Sequence, residues 1–101
     1  MDPDKTDYSI SDVVISQAGR DAQELFYVIG FEGDLLLLAD GKHRTLEQPK
    51  RKKRRHVKKV LRSETRVAAK LISGDKVLNS ELRKDLAYLK KEISGSDLGG
   101  F

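Results

Sequence analysis

Two short apolar segments place the strongest constraint on how this chain can fold. Residues 25–31 are dense in aromatic and β-branched side chains, and residues 35–39 are four leucines followed by alanine. Successive side chains of a strand point to opposite faces of its sheet, so a strand with one face in water alternates apolar and polar residues. These two segments are apolar on both faces. The sequence therefore predicts a sheet that is covered on both sides.

Tight turns separate these segments from further predicted strands. The five predicted strands span residues 10–15, 25–31, 35–39, 43–46 and 56–61. Gly19 can adopt the positive φ that the first turn requires, and Asp40-Gly41 is the strongest two-residue hairpin signal in the chain. Short antiparallel strands joined in this way indicate a mainly β fold, namely a small, partly closed barrel of the SH3-like kind.

The period of the apolar residues changes after residue 62. Ser63 is placed to cap a helix that runs to about residue 72, Gly74 is placed to end it, and a second helix begins at Asn79 or Ser80. The apolar stripe of the second helix consists of Leu78, Leu82, Leu86, Leu89 and Ile93. We expect this stripe to cover the outer face of the strands, away from the basic residues described next.

The length of 101 residues fits one domain with an appendage. Residues 1–9, which contain Pro3 and three Asp, are expected to be disordered. Residues 10–62 would form the barrel with its basic segment at 50–59, and residues 63–93 a helical extension. Residues 94–101, with three Gly, would form a flexible tail.

Positive charge is concentrated between residues 42 and 62. This window holds eleven Lys or Arg and one acid, Glu47, for a charge of +10, whereas residues 1–41 carry two basic and nine acidic side chains, for −7. The net charge of +4 therefore hides a dipole whose positive pole attracts polyanions. Nucleic acid is the predicted partner. A solvated face or flexible arm and a nuclear localisation signal at residues 49–55 are the alternative interpretations.

The composition argues against several other functions. The absence of Cys excludes disulfides, thiolate catalysis and thiolate metal sites, and suits a reducing cytoplasm. Asp40-Gly41-Lys42 resembles the end of a phosphate-binding loop but lacks its first glycine and its Ser or Thr. His43 and His56 are the only histidines and would need two carboxylates to hold zinc. We therefore expect no enzyme, no metal, no cofactor and no small-molecule substrate.

No apolar run approaches the roughly 20 residues that span a bilayer. The acidic start of the chain is also unlike a signal peptide. The sequence thus predicts a soluble, cytoplasmic protein without a membrane partner.

An ordered series of motifs resembles a KOW domain. Residues 13–21 read Val-Val-Ile-Ser-Gln-Ala-Gly-Arg-Asp, Phe26 and Val28 follow, residues 38–42 read Leu-Ala-Asp-Gly-Lys before Arg44, and the series ends in the basic residues 49–53 and in His56-Val57. The closest likeness is to small bacterial KOW-domain RNA-binding proteins, which are related to the archaeal and eukaryotic ribosomal protein family called fourteen-e. The resemblance covers residues 12–61.

This resemblance implies an SH3-like barrel that binds structured RNA, typically ribosomal RNA, without catalysis. The residues that match the motif are Gly19, Arg20, Asp21, Asp40 and Gly41. One departure concerns the first loop: the KOW pattern usually has a glycine two residues after the aspartate, where this chain has Gln23. The loop is therefore expected to be wider.

Charge and resemblance together predict a ribosome-associated RNA-binding protein of translation that docks through phosphate contacts. The predicted RNA-binding residues are Arg20, Lys42, Arg44, Lys50, Arg51, Lys52, Lys53, Arg54, Arg55, His56, Lys58 and Lys59. Phe26, Tyr27 and Phe31 lie within a strand and are expected to be core or half-buried, so base stacking would be minor. Ribosomal proteins form a second class of partner. The alternative function is an adaptor that docks on proteins of the translation or transcription machinery.

Overall fold

A computed structural model describes residues 8–95 of the chain. Its elements are β1 (Asp12–Ser16), β2 (Leu25–Glu32), β3 (Leu35–Ala39), β4 (Lys50–Lys53), a 3-10 helix (Arg54–His56), β5 (Val57–Arg62), α1 (Arg66–Ser73) and α2 (Asn79–Gly95). The strands form one antiparallel sheet in the order β4-β3-β2-β1-β5. A mainly β fold with two C-terminal helices is therefore confirmed. The barrel is not closed, because β4 and β5 are the two edges of the sheet.

The sheet buries apolar side chains on both faces, as predicted. One face, here called the inner face, carries a core of Val14, Phe26, Val28, Leu36, Leu38 and Val57. The pairing register shifts between Val13 and Val14 in β1 and between Val28 and Gly30 in β2. Such bulges bend the strands in which they occur. Tyr8 packs against this core from the N-terminal segment.

The opposite, outer face packs against both helices. Its core consists of Val13, Tyr27 and Ala39 from the sheet, Val67 and Ala68 from α1, and Leu82, Leu86 and Leu89 from α2. The predicted covering by the leucine stripe is thus confirmed for these three leucines. Leu78 differs, because it precedes the first residue of α2 and is 51% exposed. Each buried leucine is worth about 1.5–3 kcal/mol, so this contact supplies a large part of a typical folding stability.

A network of hydroxyl groups ties the outer face to both helices. The Tyr27 hydroxyl donates to the Asp85 carboxylate of α2 and lies 2.7 Å from Ser63 Oγ. The Thr65 hydroxyl donates to Asp85 Oδ2 over 2.8 Å and accepts from Ala68 N over 3.2 Å. Thr65 is therefore the N-cap of α1, and the prediction of Ser63 as cap is wrong. Burial, followed by the hydrogen bond to Asp85, raises the pKa of Tyr27 to about 12.

The predicted strand over residues 43–46 is wrong, because residues 40–49 form a loop. Asp40 Oδ1 accepts hydrogen bonds from Lys42 N over 2.9 Å and from Arg44 N over 2.8 Å, and the amides of Asp40 and Gly41 both donate to Arg44 O. This turn engages backbone groups that a strand would pair across the sheet. Asp40-Gly41 is accordingly the start of a long loop rather than a hairpin turn. Basic residues 50–53 pair with β3 instead.

The loop is clamped to the first turn of α2. Gly41 has φ +80°, and a Cβ atom on it would lie 2.2 Å from Asn79 O. The Asn79 side chain accepts from Leu46 N over 2.8 Å and donates to Glu47 Oε1 over 2.8 Å. Leu46 also packs against the outer core. The loop and α2 are therefore held in one fixed arrangement.

The ends of the helices agree with the sequence predictions in part. Gly74, with φ 80°, ends α1 as predicted, and α2 begins at Asn79 as predicted. Residues 94 and 95, expected in the tail, belong to α2. Ser9, expected to be disordered, donates its amide to Asp12 Oδ2 over 2.8 Å. The expectations for residues 1–7 and 96–101 lie outside the described residues. Between residues 8 and 95, neither helix is long and apolar enough to cross a membrane.

The hydroxyl network generates a first prediction. Replacing Tyr27 with Phe leaves the buried Ser63 and the Asp85 carboxylate without that partner, which should cost about 1–3 kcal/mol of unfolding free energy in urea. Tyr88→Phe is the matched control, since Tyr88 is 53% exposed. Its stability should stay within about 0.5 kcal/mol of the native protein. Equal stability of the two variants would show that the Tyr27 hydroxyl contributes nothing.

The contact between loop 40–49 and α2 generates a second prediction, which compares two glycines of equal φ. Gly74→Ala should cost about 1–2 kcal/mol for the left-handed backbone alone, because a Cβ there meets nothing within 4 Å. Gly41→Ala adds the collision with Asn79 O, so it should cost about 1–3 kcal/mol more. Thermal and urea unfolding measure the difference. Similar losses at both positions would contradict the close approach of the loop to α2.

Candidate nucleic-acid interface

Strand β4 distributes the basic run over the two faces of the sheet. Lys52 pairs with Leu36 of the inner core, so Lys52 and Lys50 share the inner face. Arg51 and Lys53 point to the other face, since side chains alternate along a strand. Cations that are neighbours in sequence therefore have different surroundings.

On the inner face, the two lysines converge on Asp21. Lys52 Nζ donates to Asp21 Oδ1 over 2.9 Å and to Ala18 O over 2.6 Å, and Lys50 forms an ion pair with the other carboxylate oxygen. Ser16 Oγ donates to Asp21 Oδ1 over 2.7 Å. We call this group the Asp21 clamp. It joins the first motif loop to β4, and it leaves Lys52 only 7% exposed.

The clamp also determines how Asp21 titrates. Burial alone would raise the pKa of this carboxyl group, but the hydrogen bonds from Lys50, Lys52 and Ser16 and the charge of Lys52 outweigh burial. Together they hold the pKa of Asp21 well below its ordinary value. Asp21 is therefore a charged structural residue at neutral pH. Lys52, predicted to contact RNA, is a buried part of the same structure.

Three further predicted contacts have partners within the protein. Arg51 Nε donates to Glu32 Oε1 over 2.8 Å. The Arg54 guanidinium lies 5.7 Å from the centre of the Phe31 ring and donates to a backbone carbonyl of the β2–β3 turn. Lys59 lies 3.2 Å from a carboxylate oxygen of the buried Asp12. These three cations brace the sheet edges as well as carrying charge.

Other predicted cations stay exposed and form no ion pair with any residue between positions 8 and 95. They are Arg20, Lys42, Arg44, Lys53, Arg55 and Lys58. His56 is half-buried in the 3-10 helix. The structure places this exposed set in two regions: the surroundings of loop 40–49, and the corner where β4 passes into β5.

The first region is a groove between the motif loops and α2, here called the loop–helix groove. Two adjoining depressions form it: one is lined by Arg20, Arg44 and Lys50, the other by Lys42, Arg83 and Lys90, and both share Glu24, Asp40 and His43. The carboxylates of Asp21 and Asp40 are engaged by lysines and by backbone amides. Within the described residues, the groove therefore holds five cations without an ion pair and one free carboxylate, that of Glu24.

Arg83 and Lys90 were not predicted as contacts from the sequence. They lie seven residues apart on α2 and flank the buried Leu82, Leu86 and Leu89. Two helical turns bring positions seven residues apart onto one face, so the spacing of Arg83 and Lys90 already indicated a shared basic face. Only the docking of loop 40–49 shows that this face meets Lys42.

The second region is the corner formed by the end of β4, the 3-10 helix and the start of β5. Lys53, Arg55 and Lys58 are exposed there. Lys53 and Arg55 line a depression together with Arg54 and with Glu32 and Asp34 of the β2–β3 turn. Both regions offer positively charged donors, and such groups bind phosphate oxygens.

No protein family matches this chain when its sequence is compared with family models, and no curated protein shows significant similarity to it.

The Asp21 clamp generates a prediction about pH. A carboxyl group whose folded pKa is depressed contributes stability that is present above its unfolded pKa, about 3.9, and that is lost as pH falls through the folded pKa. Asp21→Asn should therefore be destabilised relative to the native protein at pH 7, and this difference should shrink as pH drops below about 4. Urea unfolding over a pH series measures it.

Glu24→Gln is the control for this series, since it removes one carboxylate from the same loop and the Glu24 side chain has no partner among residues 8–95. We expect its stability to follow the native protein. A constant difference between Asp21→Asn and the native protein from pH 7 to pH 2 would contradict the clamp.

Proposed function

We propose that this protein binds structured RNA, with ribosomal RNA as the first candidate, through phosphate contacts and without catalysis. The observation that carries the proposal is the loop–helix groove, where five unpaired cations face a single free carboxylate. A concave surface with an excess of positive charge raises the local concentration of a polyanion and speeds its association. Neutralising phosphates also releases counterions, which supplies affinity independent of sequence.

The groove is prepared for binding because its walls are fixed. Asn79 and Gly41 hold loop 40–49 against α2, and the Asp21 clamp holds the first motif loop against β4. Cations mounted on fixed backbone lose less conformational freedom on binding than cations on a flexible arm. The position of the groove therefore favours a docking surface over the solvated arm considered for the basic run.

The resemblance to KOW domains supports RNA as the polyanion. Gln23 occupies the position where the KOW pattern usually has glycine, and its φ is +75°, a conformation that glycine adopts readily. Asp21 and Asp40, both motif residues, organise the two loops that line the groove. The strand order, with a 3-10 helix between β4 and β5, is compatible with a partly closed SH3-like barrel.

In this proposal the predicted contacts have two roles. The proposed phosphate contacts are Arg20, Lys42 and Arg44, joined by Arg83 and Lys90, in the groove, with Lys53, Arg55, His56 and Lys58 at the corner. The proposed supporting residues, which hold the basic segment in place, are Lys50, Arg51, Lys52, Arg54 and Lys59.

The adaptor function has one observation in its favour. Ile72, Leu78 and Tyr88 are 59%, 51% and 53% exposed on the helical part of the chain. Exposed apolar side chains mark protein contacts when they form a continuous patch. An RNA-independent complex with one translation or transcription protein, insensitive to salt, would favour the adaptor. Ribonuclease-sensitive sedimentation with ribosomal particles, followed by crosslink mapping to RNA, would favour RNA binding.

Salt dependence tests the proposed function directly. If about six phosphates are neutralised, log K against log salt should have a slope of about −4 for single-stranded RNA and about −5 for duplex RNA. Fluorescence anisotropy with labelled RNA over a salt series measures the slope. A slope shallower than about −2 would exclude phosphate contacts as the main source of affinity.

A double substitution on α2 tests the groove itself. Arg83→Gln with Lys90→Gln should reduce the steepness of the duplex slope by about 2, since each lost phosphate contact removes about 0.9. Lys84→Gln with Lys91→Gln is the matched control, because it removes the same charge at the same spacing about 100° around the helix. Equal effects of the two pairs would show that only net charge matters and would exclude the groove.

A further inference from the structure

Phe31 is the most exposed of the three aromatic residues of β2. Phe26 and Tyr27 are buried, but Phe31 is 41% exposed. The bulge between Val28 and Gly30 resets the alternation of β2 and pairs Phe31 with Leu36 of the inner core. Phe31 thus continues the inner row to the end of the strand, where the sheet no longer covers it.

Arg54 holds this ring in place from the 3-10 helix. Its guanidinium lies 5.7 Å from the centre of the Phe31 ring, and its Nη1 donates to Asp34 O over 3.3 Å. A guanidinium over an aromatic face is attracted by the negative charge of the π system. The guanidinium therefore covers part of the ring, and the rest of the Phe31 side chain stays open to solvent.

Cations lie on the Arg54 side of this pair. Lys53 and Arg55 are exposed, line a depression together with Arg54, Glu32 and Asp34, and have no ion pair with residues 8–95. The nearby Glu32 is engaged by Arg51, which lowers the pKa of Glu32 through a hydrogen bond. A partly exposed aromatic ring near free cations is an arrangement that binds unpaired nucleotides, with a base on the ring and phosphates on the cations.

We propose that Phe31 and Arg54 form a stacking site for an unpaired nucleobase, with Lys53 and Arg55 contacting the flanking phosphates. This site rests on the proposed RNA binding and adds a preference to it. Paired bases are stacked within a helix and cannot reach the ring, whereas bases in loops and bulges can. The protein should therefore bind RNA with unpaired bases at this end of the sheet. The loop–helix groove, by contrast, would contact only phosphates.

The first experiment compares two labelled probes, a single-stranded adenine-rich RNA and a blunt, fully paired RNA duplex. Phe31→Ala should weaken binding of the single strand by about 5-fold to about 100-fold, the range for one stacked base. Binding of the duplex should be unchanged. Phe31→Leu should show the same selective loss, because leucine cannot stack on a base. Since leucine keeps an apolar side chain at this position, the fold should stay intact, and the melting temperature of the variant checks this.

The second experiment uses tryptophan fluorescence, because the chain has no Trp. In Phe31→Trp the single indole should be quenched on addition of the single-stranded probe and not on addition of the duplex, since stacking needs an exposed base. Tyr88→Trp is the control, placing an indole at an exposed position on α2. A ring that only braced Arg54 would not give this selective quenching.

The outcomes separate the two proposals. A native protein that binds neither probe at low salt refutes the proposed function and the stacking site with it. A native protein that binds both probes, with Phe31→Ala equally affecting both or neither, refutes the stacking site and leaves RNA binding standing. Quenching of Phe31→Trp by the duplex as strongly as by the single strand also refutes the stacking site.

Discussion

The structure depends on a sheet whose central strands are apolar on both faces. Such a sheet exposes a costly hydrophobic surface unless each face is covered, since about 25 cal/mol is gained for every Å² of apolar surface removed from water. The inner face buries the core around Phe26, and the leucines of α2 cover the outer face. The docked helix in turn provides the surface on which loop 40–49 is held through Gly41 and Asn79.

Electrostatics then decides which part of the charge is available to a ligand. Asp21 engages two lysines, Glu32 engages Arg51, and Asp12 engages Lys59, so acids of the first part of the chain neutralise much of the basic run. The charges that remain lie on loop 40–49, on the adjoining face of α2 and at the end of β4. In the proposed function these would bind the phosphate backbone at two places, while Phe31 adds a contact to a base.

The sequence predicted the structure well where a local pattern is compatible with only one conformation. The run of residues 35–39 became β3 without any shift of its bounds, and Gly74 ended α1 in the left-handed conformation. The prediction failed where a side chain forms a hydrogen bond that the sequence pattern did not indicate. Asp40 binds the amides of its own loop rather than closing a hairpin, and Thr65 rather than Ser63 caps α1, because Ser63 is drawn into the buried network of Tyr27.

By itself the sequence determined that the sheet must be covered on both faces, that leucines on a C-terminal helix would cover one of them, and that positive charge is concentrated after residue 41. These properties follow from local composition and period, which act over a few residues. Only the tertiary structure decided which cations are paired, that Arg83 and Lys90 face Lys42, and that Phe31 is exposed. Ion pairs and bulges join residues far apart in the chain, and their energies depend on a geometry that exists only after the sheet and helices have packed.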